Sequence, residues 1–402
     1  MSREMDTVEA AFRKSMRQPL NQAARIGQAD IVVGIPFYNE ASTIGHVVEV
    51  AGQALSTYYP DQRCVICCAG SDMGDEALAV VQQVPLPPGL DRIAFLMKSH
   101  EVSGKGWALR AIMEIADKLG ADLVILEADL LSRAEAGQVI GLSPDWLARL
   151  LAPIRRGKFD VVLSRFDRHW LEVPIANHLI GPLIAAIYNL NLHDPLSGEL
   201  AISNGFLKSC HEDAEVWKSD IGRYGVDVWL LTNAIVKGAN IAETRLGAKL
   251  YKPSPGKEDI VLREQVKTIF ERIWLTKDFW KERRETILPV ASFGFRDSQR
   301  PPVWPPDIQS RIVRYRKGFN RFHTLYREVL PGEICAELER LAESDPAEFE
   351  FAAELWSQSL YDILITFCFD GKFAREDVLS ALIPLYHARV ASFTREMEAL
   401  SR

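Results

Sequence analysis

The chain has 402 residues, 48% of them hydrophobic and 25% charged, with a formal net charge of −7 at pH 7; this is an ordinary globular composition, long enough for one large domain or two. No long basic run offsets the negative balance, which excludes a nucleic-acid binder, because phosphate contacts need clustered Lys and Arg. The longest apolar window, LIGPLIAAIYNLNL at 179–192, falls short of the ~20 residues a spanning helix requires, and the N-terminus MSREMDTVEAAFRKSMRQ lacks the apolar core of a secretory signal, so no transmembrane segment and a cytoplasmic setting are expected.

Along the chain, residues 1–28 read as an N-terminal helical arm. IVVGIP (31–36) is a strand, and the following YNEASTIGHVVEVAGQAL places Ile44, Val47, Val48, Ala51 and Leu55 on one helical face. RCVICC and RIAFLM are two further strands. The CxxC of Cys64 and Cys67 has no second pair to complete a zinc site, so these cysteines read as strand residues in a reducing compartment. GKGWALRAIMEIADKLG is a helix with Ala108, Ile112, Ile115 and Leu119 inward, and DLVIL the next strand. In SPDWLARLLAPIRRG, Ser143 is the expected N-cap with Pro144 at the first helical position. FDVVLS and GELAIS are strands, GVDVWLLTNAIVKG a helix closing on Gly238, and NIAETRLG a strand. From about Asp259 the strand signals give way to amphipathic helices, interrupted by SQRPPVWPPD (298–307), expected to be a loop. Alternating strands and helices predict an α/β fold with a mostly parallel, doubly wound sheet.

The stretch LVILEADLLSR (123–133) concentrates the functional signal. Its apolar run without alternation fits a strand buried on both faces, and ligands in open α/β sheets bind beyond the carboxyl ends of strands. Glu127 and Asp129 would protrude there; the alternative is a helix N-cap with an acid in its first turn. A dinucleotide-binding G-x-G-x-x-G after strand one is replaced by GIPFYNEAST, and a Walker phosphate loop is missing.

IPFYNE after strand one, GKG opening a helix, EAD after a buried strand, and DPLSGELAIS followed by YGVDVWLLTNAIVKG together resemble a GT-A glycosyltransferase. The resemblance is closest to the mannosylglycerate and glucosylglycerate synthase group, including the glucosyl-3-phosphoglycerate synthases, and spans roughly 30–275, more weakly the helical tail. It implies a GT-A nucleotide-diphospho-sugar transferase fold at 29–258 with an α-helical C-terminal extension at 259–402. The implied reaction moves a hexose from a UDP- or GDP-sugar to a small anionic acceptor such as glycerate or 3-phosphoglycerate, with retention. A homodimer is the candidate assembly.

Carried over by position, the resemblance places Pro36, Tyr38 and Glu40 at the nucleoside. In SGKGWALRA it places Lys105 at the diphosphate, with flanking glycines that let the backbone approach the phosphates and a helix end that offers free amides. The family motif is Asp-x-Asp, its first acid meeting the ribose and its second ligating a divalent cation; Asp129 matches the second, while Glu127 is one methylene longer than the first. The expected cation is Mg²⁺ or Mn²⁺, with oxygen ligands. At the group's metal-binding histidine this chain has Tyr251, a poor ligand beside an imidazole; Lys249 and Lys252 could supply part of the missing positive charge. Arg165 and Arg168 suit an acceptor carboxylate or phosphate through paired hydrogen bonds, and surface salt bridges are the alternative. Asp227 matches an acid near the acceptor hydroxyl and equally suits a first-turn helix acid. The DPLSGEL turn would wall the transferred sugar, with Ser197 and Gly198 on the acceptor side and Glu199, beside Asp227, a catalytic candidate. The rival readings are a non-catalytic or metal-independent homologue that senses a nucleotide or sugar, supported by Glu127 and Tyr251, and a nucleotidyltransferase, which should show a G-x-G-[TS] loop that this chain lacks.

Overall fold

The structure is a computed structural model that describes every residue except 1, 72, 73, 75, 136, 213, 255, 283–285, 296–300, 302–306, 401 and 402. The chain divides into two compact units, one of Met1–Arg168, Ile184–Ser254 and Arg283–Pro302, the other of His169–Leu183, Pro255–Glu282 and Val303–Arg402.

The first unit opens with α1 (Ser2–Ile26) and then alternates β1 (Ile31–Phe37), α2 (Ile44–Tyr58), β2 (Cys64–Ser71), α3 (Ala77–Gln83), β3 (Asp91–Met97), α4 (Lys105–Leu119) and β4 (Asp122–Ile125). Every residue of β1 and β2 is buried, as continuous apolar runs demand when both faces of a strand are covered. The expected inward faces are those observed: Ile44, Val47, Val48, Ala51 and Leu55 on α2, and Ala108, Ile112, Ile115 and Leu119 on α4. Close contact of α4 with β1 requires Gly34, since a Cβ there would lie 2.4 Å from Ile112 Cγ2. The cysteines of β2 are free and buried, and burial pushes the Cys64 and Cys68 thiols up to about 12.

After β4 come β5 (Leu130–Glu135), β6 (Gln138–Gly141), α5 (Asp145–Arg155), β7 (Val161–Phe166), α6 (Gly181–Tyr188), β8 (Leu190–Asn191), β9 (Leu200–Ile202), α7 (Asn204–Leu207), α8 (Ala214–Lys218), α9 (Val226–Val236), β10 (Ile241–Gly247) and β11 (Leu250–Tyr251). β12 (Leu288–Pro289) and β13 (Ala291–Phe293) follow; eight of the strands build a sheet in the order β13-β10-β7-β9-β4-β1-β2-β3, while β11-β5-β6 and β12-β8 form two smaller ones. All neighbours in the eight-stranded sheet are parallel except β9, which is antiparallel to β4 and β7. The fold is α/β with a mostly parallel sheet and a helical C-terminal region, as expected. The β9 reversal has a consequence for function: the N-terminal end of β9 lies beside the C-terminal ends of its neighbours, so Ser197, Gly198 and Glu199 reach the same edge as the residues that follow β4, β7 and β10.

The helix N-cap alternative for the acidic pair is set aside: β5 and β6 form an antiparallel hairpin joined by β11. Two expectations need correction. Ser143 does not cap α5 with its side chain, because its hydroxyl bonds to the Asp145 carboxylate and Pro144 occupies the cap position. The strand signals also do not end near Asp259, since β12 pairs with β8 and β13 with β10. Apart from Pro301 and Asp307, the SQRPPVWPPD segment lies outside the described residues. No helix among the described residues is long and apolar enough to cross a membrane.

The second unit is helical: α10 (Glu258–Leu275), α11 (Lys277–Lys281), α12 (Ile308–Val329), α13 (Gly332–Glu343), α14 (Ala353–Phe369) and α15 (Arg375–Leu400), with a π-helical turn at Ala176–Ile180. Its aromatic core satisfies its own hydroxyls, Tyr315 donating to the Leu338 carbonyl at 2.7 Å and Tyr326 to that of Ala381 at 2.6 Å. His178 is buried, its ring edge-on to Phe393 at 4.5 Å and its carbonyl accepting from the Trp356 indole at 2.9 Å. Burial, reinforced by Arg389, lowers its pKa to about 4. The unfolded chain therefore takes up a proton near pH 6.5 that the folded chain refuses until about pH 4, so this residue's contribution is full above the unfolded value and is lost as pH falls through that window. His178→Phe should remove about 2–3 kcal/mol of acid destabilisation between pH 7 and 4, read as the difference in urea midpoints; an unchanged pH slope would contradict a neutral buried imidazole.

Candidate functional site

The carboxyl edge of the sheet carries a chain of alternating charges. Glu127 follows β4 after Leu126, whose amide bonds to the Gly34 carbonyl at 3.0 Å and continues the parallel ladder by one residue. Lys105 Nζ, from the first turn of α4, lies 2.9 Å from Glu127 Oε1 and 2.8 Å from Asp227 Oδ2, in the first turn of α9. On the other side Lys249 Nζ, just past β10, lies 2.6 Å from Glu127 Oε2 and 2.9–3.0 Å from the Glu199 carboxylate, and donates to the Ser197 carbonyl at 2.9 Å. The order Asp227, Lys105, Glu127, Lys249, Glu199 thus joins five side chains from five separate segments.

Burial sets the stakes. Glu199 is wholly buried, and the Lys249 side chain is only 5% exposed, so each charge depends on its partner rather than on water. Burial opposes ionisation of Glu127, but the ammonium groups of Lys105 and Lys249 outweigh it and hold the carboxyl well below its usual range. Both lysines are raised: burial works against them, while Asp227 and Glu127 act on Lys105, and Glu127 and Glu199 on Lys249. Burial pushes Asp227 and Glu199 up against the pull of their lysines.

Other expected site residues form separate groups. Glu40 accepts from Lys252 at 2.7 Å and from the Thr43 hydroxyl at 3.2 Å, so Lys252 serves the first loop, together with its bond to the Asn39 carbonyl. Tyr38 is exposed and Pro36 is buried within β1. Arg165 lies within β7 opposite Arg245 of β10. Arg168 donates from Nε to the buried Asp194 at 2.7 Å and stands over the Phe166 ring at 5.2 Å, the same ring that Lys249 approaches at 5.4 Å. Gly198, at φ +87°, presses on the acidic centre, where a Cβ would lie 2.5 Å from Glu127 Cδ.

The glycines around Lys105 require a correction. They were expected to admit a diphosphate, yet a Cβ on Gly106 would lie 1.8 Å from the Ile221 carbonyl oxygen and one on Gly104 2.5 Å from that of Gly222. The Gly106 amide is already bonded to the Arg223 carbonyl at 3.2 Å. These glycines admit the chain's own backbone at 221–223, and the Gly106 amide is spent on it.

Sequence reasoning missed His193, Asp194 and Glu243. One signal was available: Glu243 is the one acid inside the strand NIAETRLG, and fully buried acids are rare unless partnered.

No family model and no curated protein matches the sequence. Among solved structures the chain is similar to glucosyl-3-phosphoglycerate synthase of Mycobacterium tuberculosis, from the group its motifs resemble. The complex with Mn²⁺, UDP and glucosyl-3-phosphoglycerate is 21% identical, covering 62% of this chain and 82% of the other at a TM-score of 0.46. The complex with Mn²⁺, UDP-glucose and phosphoglyceric acid is 22% identical over 62% and 82% at 0.45, and that with Mg²⁺ and UDP is 22% identical over 63% and 82% at 0.45.

A divalent cation is part of what the resemblance implies. Among the described residues no three His, Cys, Asp or Glu side chains are grouped to hold one. Both Glu127 oxygens are committed to lysines, and Tyr251, in β11, lies with its ring 5.9 Å from Lys249 Nζ. Asp129 differs: its Oδ1 is buried without a hydrogen-bond partner among the described residues, and burial, then Glu127, raise its pKa to about 6. One carboxylate suffices for a Mg²⁺ that keeps waters and takes phosphate oxygens. The residues therefore fit an ion arriving with a diphosphate and do not fit one held by protein alone.

The contact of Gly198 with Glu127 can be tested against a glycine that touches nothing. Gly198→Ala should cost about 1–3 kcal/mol through overpacking on top of its backbone strain. Gly238→Ala, at φ +71° in open space, should cost about 1 kcal/mol. Equal losses in urea denaturation would remove the packing role.

Proposed function

We propose that the chain is a glycosyltransferase that moves a hexose from a nucleotide-diphospho-sugar, with a UDP-sugar as the first donor to try, to a small anionic acceptor of the glycerate or phosphoglycerate kind. The observation that carries this reading is the convergence of Lys105, Glu127, Asp129, Glu199, Asp227 and Lys249 at the carboxyl edge of the sheet. That edge is where open α/β folds bind ligands. Charged groups buried at this density are uncommon away from functional sites.

In this mechanism the nucleoside lies by Tyr38 and Glu40, and the ribose by Glu127. Lys105 is the mobile member of the chain. When a diphosphate enters, its ammonium turns from Asp227 toward the phosphate oxygens and stabilises the charge that builds on the leaving group. A divalent cation, bound through Asp129 and the diphosphate, would add to that neutralisation. Asp227, released from Lys105, faces the acceptor and orients its hydroxyl. The new bond forms between that hydroxyl oxygen and the anomeric carbon on the face the diphosphate leaves. As the anomeric carbon–phosphate oxygen bond breaks, the hydroxyl proton passes to the departing phosphate, so the configuration is retained. Glu199 and Gly198 wall the sugar, and Arg165 and Arg168 take the acid group of the acceptor.

Asp227→Asn should preserve the fold and donor affinity while reducing transfer by roughly 10²–10⁴-fold, the range of a positioned acid or base. Product formation from UDP-glucose and 3-phosphoglycerate, followed by mass spectrometry, checks it. Near-normal transfer would return Asp227 to a helix-terminal role. UDP-glucose binding without product in the wild type, across an acceptor panel, would favour the sensor reading.

A further inference from the structure

The N-terminal arm and α4 share a buried charge that the proposed reaction does not use. Arg110, on α4, is 4% exposed. Its guanidinium donates to both oxygens of Glu9 on α1, at 2.8 and 3.0 Å, and its Nε donates to Glu114 at 3.2 Å. Arg13 of α1 closes the ring of charges, donating to Glu9 at 2.6 Å and to Glu114 at 2.5 Å. The face of the Arg110 guanidinium lies over aromatic rings, its Cζ 4.1 Å from the centroid of Phe12, 5.3 Å from that of Trp107 and 5.8 Å from that of Trp217. A planar ion can be bonded at its edge and stacked on its face at once, which a lysine cannot.

Those rings lead to the charge chain. Trp107 and Trp217 are both buried, and Gly222 fits against the two of them: a Cβ there would lie 2.7 Å from Trp107 Nε1 and 2.2 Å from the Trp217 carbonyl oxygen. From Gly222 the backbone passes over Gly104 and Gly106, on either side of Lys105, and the Arg223 carbonyl accepts from the Gly106 amide. Four residues after Arg223 comes Asp227, whose carboxylate holds Lys105. Arg110 is thus bonded on one side to the N-terminal arm and packed on the other against the tryptophans that seat 217–223 on the first turn of α4. A buried ion keeps such a place because leaving it strands the charge without a partner.

We propose that Arg110, locked by Glu9, is a positioning residue for the donor site: it fixes where the first turn of α4 presents the Lys105 ammonium to a diphosphate. This rests on the glycosyltransferase reading and extends its donor site to the N-terminal arm. Arg110 makes no bond to the ligand; it removes alternative placements of Lys105 that binding would otherwise have to select against.

Calorimetry on the full chain with UDP and with uridine, in a cycle that pairs each variant with Lys105→Ala, tests this. Glu9→Gln, at a side chain that is 26% exposed, and Arg110→Lys should each weaken UDP binding by about fivefold or more while uridine affinity stays within about twofold. In the Lys105→Ala background neither change should weaken UDP further, because the group that Arg110 positions is gone. Where Arg110→Lys fails to fold, Glu9→Gln decides. A UDP loss of the same size with and without Lys105, an equal loss for uridine, no loss in Glu9→Gln, or a Lys105→Ala chain that binds UDP as tightly as the wild type overturns the proposal and leaves Arg110 as a brace of the fold. The transferase reading stands in each of those cases; a wild type that binds no UDP overturns both.

Discussion

Glu127 sits between two ammonium groups, and the candidate site depends on that arrangement. A carboxylate at the end of a buried strand has lost much of its water, and Lys105 and Lys249 supply what replaces it. Each lysine holds a further acid, so the interaction ties the start of α4, the end of β4, the start of α9, the turn before β9 and the segment after β10. Removing one member of a buried pair typically costs about 3–5 kcal/mol, because the remaining charge is stranded. Rigidity follows from that penalty.

Much of the frame was legible because it rests on local rules. Unbroken apolar runs marked β1, β2 and β4, and the helical periodicity of α2 and α4 put the same residues inward in sequence and in structure. What depends on distant partners was not visible. The turn of the chain at 221–223 takes the space around Gly104 and Gly106, a role no local pattern distinguishes from phosphate approach. Short β12 and β13 are edge additions whose pairing partners lie far away in sequence.

The site shows the same division. Lys105, Glu127 and Asp227 could each be singled out from a motif, yet nothing in the motifs says that one ammonium joins two acids 22 and 122 residues away. Lys249 could be noticed only as a nearby charge, and its burial against Glu199 is a tertiary fact. The loop before β9 is braced at both ends: Glu243 receives the His193 and Asp194 amides at its start, and Lys249 holds Ser197 and Glu199 at its end.

The central claim is that Lys105 leaves its acids for a diphosphate, and calorimetry with UDP and uridine on wild type and Lys105→Ala tests it most directly. A charge-assisted contact is worth about 1.5–3 kcal/mol, so the variant should bind UDP at least tenfold more weakly while its affinity for uridine changes little. Equal losses for the two ligands, or none for UDP, would contradict the account and leave Lys105 as a fixed counter-ion of the acidic chain.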